Sequence, residues 1–118
     1  MRDFRKYLVW KKGHEFALEV YQQTNSFPKA ELFALTSQIR RAASSIPINI
    51  AEGCGRNSDS EFSHFLNIAA GSTSEVDEEL LLAYDLGYLE EITYLRLNDS
   101  VNEIKAMLNK LISTLKKS

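Results

Sequence analysis

The sequence predicts an all-α domain, an up-and-down antiparallel four-helix bundle occupying residues 1–118 as one unit. Three observations lead to it. Four stretches repeat apolar residues at spacings of three and four, the mark of helices that bury one face. Five glycines and two prolines in 118 residues are too few for a turn-rich β architecture. The connections between the stretches are short, which forces successive helices to run antiparallel. A chain of this length supports one core and not two.

The first helix carries Val9, Gly13, Phe16 and Val20 on one stripe, with Trp10, Ala17 and Tyr21 beside it. It ends at Phe27-Pro28, because a residue before proline is pushed out of the helical region. The second is predicted from about Lys29 to Cys54 on Leu32, Leu35, Ile39, Ala42, Ala43, Ile46 and Ile50. Pro47 interrupts it, deleting one backbone hydrogen bond and crowding the carbonyl of Ala43. The stripe stays in phase through Ile50, so the reading is a kink in helix two and not a stop.

Residues 53–57 read as a connector, and Ser58-Asp59-Ser60-Glu61 as a capping box that starts the third helix near Asp59. That helix follows Phe62, Phe65, Leu66, Ala69, Thr73, Val76, Leu80 and Ala83, and Gly87 supplies its C-terminal stop. The fourth follows Leu97, Val101, Ile104, Leu108, Leu111 and Leu115, with Lys116 and Lys117 at the negative end of its dipole.

Composition narrows the function. Cys54 is the only cysteine, so one chain can form neither a disulfide nor a cysteine-based zinc site, in keeping with a reducing, cytoplasmic location. The charged N-terminus (Arg2, Asp3, Arg5, Lys6) does not read as a secretory signal, and no apolar run approaches the ~20 residues of a membrane span. The formal net charge is −2, unevenly spread: residues 1–59 hold nine basic and six acidic side chains, residues 60–118 five and ten. Net acidity disfavours general attraction to phosphate backbones.

On helix two, Gln38, Arg41, Ser45, Asn49, Glu52 and Arg56 fall on one side away from the apolar stripe. This polar ladder reads either as a solvated face or as a hydrogen-bonded contact. In the preferred version Arg41 and Glu52 meet Ser72 or Glu75 on helix three or on another subunit, since a buried charge needs pairing. Ile48 lies off the main stripe and suggests a partner surface. Arg5, Lys6, Lys11 and Lys12 interleave with Phe4, Tyr7 and Trp10 and, with Arg40 and Arg41, form the best candidate for nucleic-acid contact. The simpler reading is a basic terminus ahead of a packed helix. The acidic run Glu75, Asp77, Glu78, Glu79 reads as a solvated face or an electrostatic partner for a neighbouring subunit.

Catalytic and metal chemistry find little to stand on. Glu61 and His64 have the Glu-x-x-His spacing of bundle di-iron sites, but Lys11 stands where a second pair would need an acid before His14. Cys54 reads as a small buried residue at a helix end. Arg56 and His64 are too far apart for the arginine-histidine spacing of helical-bundle ribonucleases, and Gly53-Cys54-Gly55 lacks the lysine and strand of a phosphate loop. No enzyme, cofactor or metal is expected.

The segment Ser45-Ile46-Pro47-Ile48-Asn49-Ile50-Ala51-Glu52-Gly53 closely resembles the bacterial four-helix-bundle proteins named for intervening sequences in large-subunit ribosomal RNA genes. The resemblance extends over nearly the whole chain, through Leu8-Val9-Trp10-Lys11-Lys12, Leu35-Thr36-Ser37-Gln38-Ile39-Arg40-Arg41-Ala42, Phe65-Leu66-Asn67-Ile68-Ala69 and Leu86-Gly87-Tyr88-Leu89. It implies a cytoplasmic bundle that forms a ring-shaped homopentamer without known enzymatic activity. A relative of that family, the accessory protein of diversity-generating retroelements, is a basic pentamer that binds nucleic acid and a reverse transcriptase; this chain departs from it in being acidic overall. The expectation is therefore a homo-oligomeric scaffold or adaptor, with a nucleic-acid-binding accessory protein as the alternative.

Overall fold

The computed structural model describes residues 2–116. After a 3-10 turn at Phe4–Lys6 come α1 (Leu8–Thr24), a second 3-10 turn (Lys29–Glu31), α2 (Leu35–Cys54), α3 (Asp59–Asp85) and α4 (Glu91–Lys116). No strand occurs among the described residues, and the molecule is an elongated bundle of 46 × 23 × 20 Å. Lys117, expected to meet the helix-four dipole, lies outside the described residues; Lys116 closes the last turn.

Cross-helix contacts fix the register. Lys12 and Glu19 on α1 pair with Glu103 and Arg96 on α4. Gly13 lies against Ile46 and Pro47, and Thr24 meets Arg40. Ser45 meets Ser72, and Gly53 packs on Phe62. Asp77 and Tyr84 on α3 meet Asn98 and Tyr94 on α4. In each pair one number rises as the other falls, so every neighbouring pair of helices is antiparallel and the topology is up-and-down.

The predicted stripes are the core. Ile39, Ile46 and Ile50 of α2, Leu66, Val76 and Leu80 of α3, and Leu97, Ile104 and Leu108 of α4 are all essentially inaccessible. Each such side chain contributes roughly 1.5–3 kcal/mol through burial. On α4 the last buried position is Ile112, with Leu111 and Leu115 half-buried on either side of it.

One boundary differs. Helix two begins at Leu35, not near Lys29, and Leu32, expected on the buried stripe, is exposed. Lys29–Glu31 forms a 3-10 turn, and Ala34, at φ −125° and ψ −107°, breaks the path between turn and helix. A spacing of three fits a 3-10 turn as well as a helix, so Leu32 lies in phase with α2 without belonging to it. The loop is tied down at Phe27, which is buried and packs on Tyr88 at 5.5 Å between ring centroids.

The helix does not stop at Pro47, which is buried inside α2. A Cβ on Gly13 would stand 3.1 Å from Ile46 Cγ2 and 3.7 Å from the Pro47 nitrogen, so glycine lets α1 approach the proline-bearing turn. Ser58 caps α3 as predicted, its oxygen accepting from the Glu61 N–H at 3.1 Å. At the other end the Tyr88 N–H donates to Ala83 O and the Gly87 N–H to Tyr84 O, with Gly87 at φ +83°. This is a Schellman ending, whose left-handed position favours glycine.

Candidate functional site

The polar ladder divides into two parts. Ser45 Oγ lies 2.7 Å from Ser72 Oγ, while Asn49 Nδ2 donates to the Ser45 carbonyl at 2.8 Å and to its hydroxyl at 2.9 Å. The Ser45–Ser72 contact ties α2 to α3 inside one chain, and Asn49 holds Ser45 from one turn on within α2. Glu52 accepts from Arg56 one turn on, at 2.5 Å. The expected pairing of Arg41 and Glu52 with Ser72 or Glu75 is thus not made within the chain. The antiparallel crossing that sets Ser45 on Ser72 carries Glu52 toward the Phe62 end of α3, away from Glu75. Gln38, Arg41 and Glu75 are exposed, and none has a hydrogen bond or ion pair from its side chain among the described residues.

Around these groups lies apolar surface that the chain leaves uncovered. Ile48 points outward from α2 at 61% exposure, on the side opposite Ile39 and Ile46. Ile68 and Leu82 on α3 and Leu86 at its C-cap are exposed, flanking Ser72, Glu75 and Glu79 in one row at spacings of four and three. That spacing forms one ridge along the helix. Phe33, between the second 3-10 turn and α2, is 93% exposed.

Four acids in five residues cannot share one helix face, and they do not. Asp77 turns to α4 and accepts from Asn98 Nδ2 at 2.7 Å. Glu79 lies on the α2 side, half-buried, with its Oε1 buried and without a hydrogen-bond partner. Burial, and secondarily the Glu75 carboxylate one turn earlier, push the Glu79 carboxyl up to about 7. The sequence singled out the acidic run but not this member. The available signal was phase, since Glu79 stands seven residues after Ser72 and on the same ridge.

The structure scatters the candidate nucleic-acid residues. Arg40 caps the C-terminal end of α1: its Nε donates to Thr24 Oγ1 at 2.8 Å and its Nη2 to Asn25 Oδ1 at 3.1 Å, where a cation complements the helix dipole. Lys12 pairs with Glu103 at 2.8 Å, a bond that raises the lysine's pKa. Arg5, Lys6 and Lys11 are exposed at the start of α1, whereas Arg40 and Arg41 flank its far end. A 17-residue helix separates the two groups, about 25 Å. Phe4 and Trp10 pack edge to face on each other at 4.9 Å, and Trp10 stacks on His14, so the aromatic faces are largely spent inside the protein.

Cys54 is buried beneath the connector, and burial pushes its thiol up, disfavouring thiolate. Arg2 reaches the same end of the bundle, pairing with Asp59 and lying 4.3 Å above the Phe62 ring. Among the described residues no group of three or more His, Cys, Asp or Glu side chains is placed to hold a metal, and no helix is long and apolar enough to cross a membrane.

Comparison with known proteins agrees with this geometry. The family model described as 23S rRNA-intervening sequence protein matches residues 5–110. A crystal structure of a protein of unknown function from the S23 ribosomal protein family of Bacteroides thetaiotaomicron superposes with a TM-score of 0.81 at 29% identity. The match covers 89% of this chain and 98% of that one. Curated proteins yielded no match.

Proposed function

The chain belongs to the 23S rRNA-intervening sequence protein family, and from that premise we propose that it works as a non-enzymatic, cytoplasmic scaffold or adaptor assembled from several copies of itself. A pentamer is the assembly implied by the resemblance of its Pro47-containing segment. The observation that carries the reading is the uncovered apolar surface on the outer sides of α2 and α3, above all Ile48 and Leu86, with Arg41 and Glu75 left unpaired among them. A single chain gains nothing from holding such side chains in water, while a second copy covering them gains roughly 25 cal/mol per Å² of apolar area.

Light scattering after size exclusion tests the reading directly. The wild-type chain elutes as a multiple of 13.4 kDa at micromolar concentration, and Ile48→Asp lowers that mass. A strictly monomeric wild type at high micromolar concentration removes the proposal. The nucleic-acid alternative needs a continuous basic track, and the separation of Arg5, Lys6 and Lys11 from Arg40 and Arg41 counts against one.

A further inference from the structure

Between the C-terminal end of α1 and the first turns of α2 lies an open pocket of about 170 Å³, lined by Thr24, Phe27, Pro28, Lys29, Thr36 and Arg40 among others. Pockets for drug-sized molecules run to roughly 300–1,000 Å³, so this one suits a single small ion or the end group of a larger molecule. Its walls hold two cations and no acid. Glu31, the acid of the adjoining 3-10 turn, accepts from the Tyr88 hydroxyl at 2.9 Å and does not line the pocket.

Thr36 is the polar group of this pocket that the fold leaves unanswered. It is 3% exposed, and its hydroxyl oxygen is buried with no hydrogen-bond partner among the described residues. Water is lost on burial and not replaced, a cost that a ligand oxygen accepting from this hydroxyl removes. The rim is the Lys29–Glu31 turn, which buries no side chain and so yields to an entering group at little cost.

Lys29 and Arg40 supply the charge. Arg40 Nε and Nη2 donate to Thr24 Oγ1, Asn25 Oδ1 and the Tyr21 carbonyl, which leaves Nη1 without a partner among the described residues. Lys29 is in no ion pair among the described residues. The end of α1 and the start of α2 meet here with half-charges of opposite sign that offset each other, so the two side-chain cations set the sign of the site. With Nη2 committed, the guanidinium has no free edge for the two parallel bonds that a planar carboxylate takes. Donors on the loop, the helix and the pocket wall suit a tetrahedral oxyanion, which accepts from several directions.

We propose that this pocket binds a phosphate group, free or at the end of a small molecule, with Lys29 and Arg40 pairing with its charge and the Thr36 hydroxyl donating to one of its oxygens. The inference does not depend on the self-association proposed above.

The test titrates the full chain with inorganic phosphate at constant ionic strength, followed by amide chemical shifts and thermal melts. Saturable shifts centred on residues 24–40 and a rising melting temperature are expected. Lys29→Gln, at an exposed position, keeps the fold and weakens phosphate binding on the order of tenfold. Thr36→Val weakens it to a similar degree while raising the melting temperature of the phosphate-free chain, because the unanswered hydroxyl is gone; a merely structural threonine would not move the two in opposite directions. Glycerol phosphate forms the second arm: binding tighter than inorganic phosphate assigns the site to the end group of a larger molecule, and weaker binding assigns it to the free ion. No saturable shift up to tens of millimolar phosphate, an affinity unchanged in either variant, or acetate binding as well as phosphate overturns the proposal.

Discussion

Replacing Glu79 by glutamine relieves a cost that the isolated chain carries at neutral and alkaline pH. The folded chain holds this carboxyl at about 7, against an ordinary 4.5, chiefly through burial and then through Glu75. For an acid raised on folding, the sign is set by the unfolded chain, which ionises first. Below about pH 4.5 both states are protonated and nothing is lost. Between there and about pH 7 the unfolded chain gives up a proton that the folded chain keeps, so stability falls as pH rises; above that range the full penalty stands. At 1.36 kcal/mol per pH unit the difference is at most about 3.4 kcal/mol. Glu79 is only half-buried, and solvent screening reduces this to roughly 1–2 kcal/mol.

Glu79→Gln is therefore expected to stabilise the single chain at pH 8 by that amount, raising its melting temperature by about 5 °C for a domain of this size. At pH 5 the gain shrinks to about a quarter. The measurement is a pair of urea and thermal melts followed by circular dichroism, at a dilution where light scattering reports one chain, so that association does not change the burial of the carboxyl. An equal effect of the substitution at pH 5 and pH 8, or a loss of stability at pH 8, refutes the account of Glu79 as a strained carboxyl.

Two other positions test how the fold is held. At Gly53 a Cβ would stand 3.0 Å from Phe62 Cδ1 and from Phe65 Cβ and 3.2 Å from the Phe62 carbonyl, so Gly53→Val forces α2 and α3 apart and lowers stability by about 2 kcal/mol or more in a urea titration. Ser58→Ala removes the hydroxyl that accepts from Glu61 N–H and costs about 1 kcal/mol by the same assay, with loss concentrated in hydrogen-exchange protection of the first turn of α3.

Most of the fold was legible because a helix that buries one face repeats its apolar residues every three to four positions. The stripes on α1, α2 and α3 are buried almost residue for residue, and Ser58 and Gly87 mark the ends of α3 where capping chemistry places them. The start of α2 was not legible, since Leu32 satisfies the period of a helix while standing at the end of a 3-10 turn. The candidate interface was readable only in part. Phase placed Ser45, Asn49 and Arg41 off the core, but phase cannot say which of them meets the next helix and which meets water. The crossing of α2 over α3 makes that choice: Ser45 closes on Ser72, and Arg41 is left outside.

The acidic run shows the same division most clearly. That α3 is a helix, and that Val76 and Leu80 face inward, follows from local spacing alone, because each depends on residues within two turns of itself. That Asp77 finds Asn98, and that Glu79 finds burial without a partner, depends on α4 and α2 arriving on opposite sides of α3 from distant parts of the chain. Periodicity settles which face of a helix turns to the core; the electrostatic state of a side chain at the edge of that face is settled only by what packs against it, because desolvation and pairing are properties of neighbours and not of residue order.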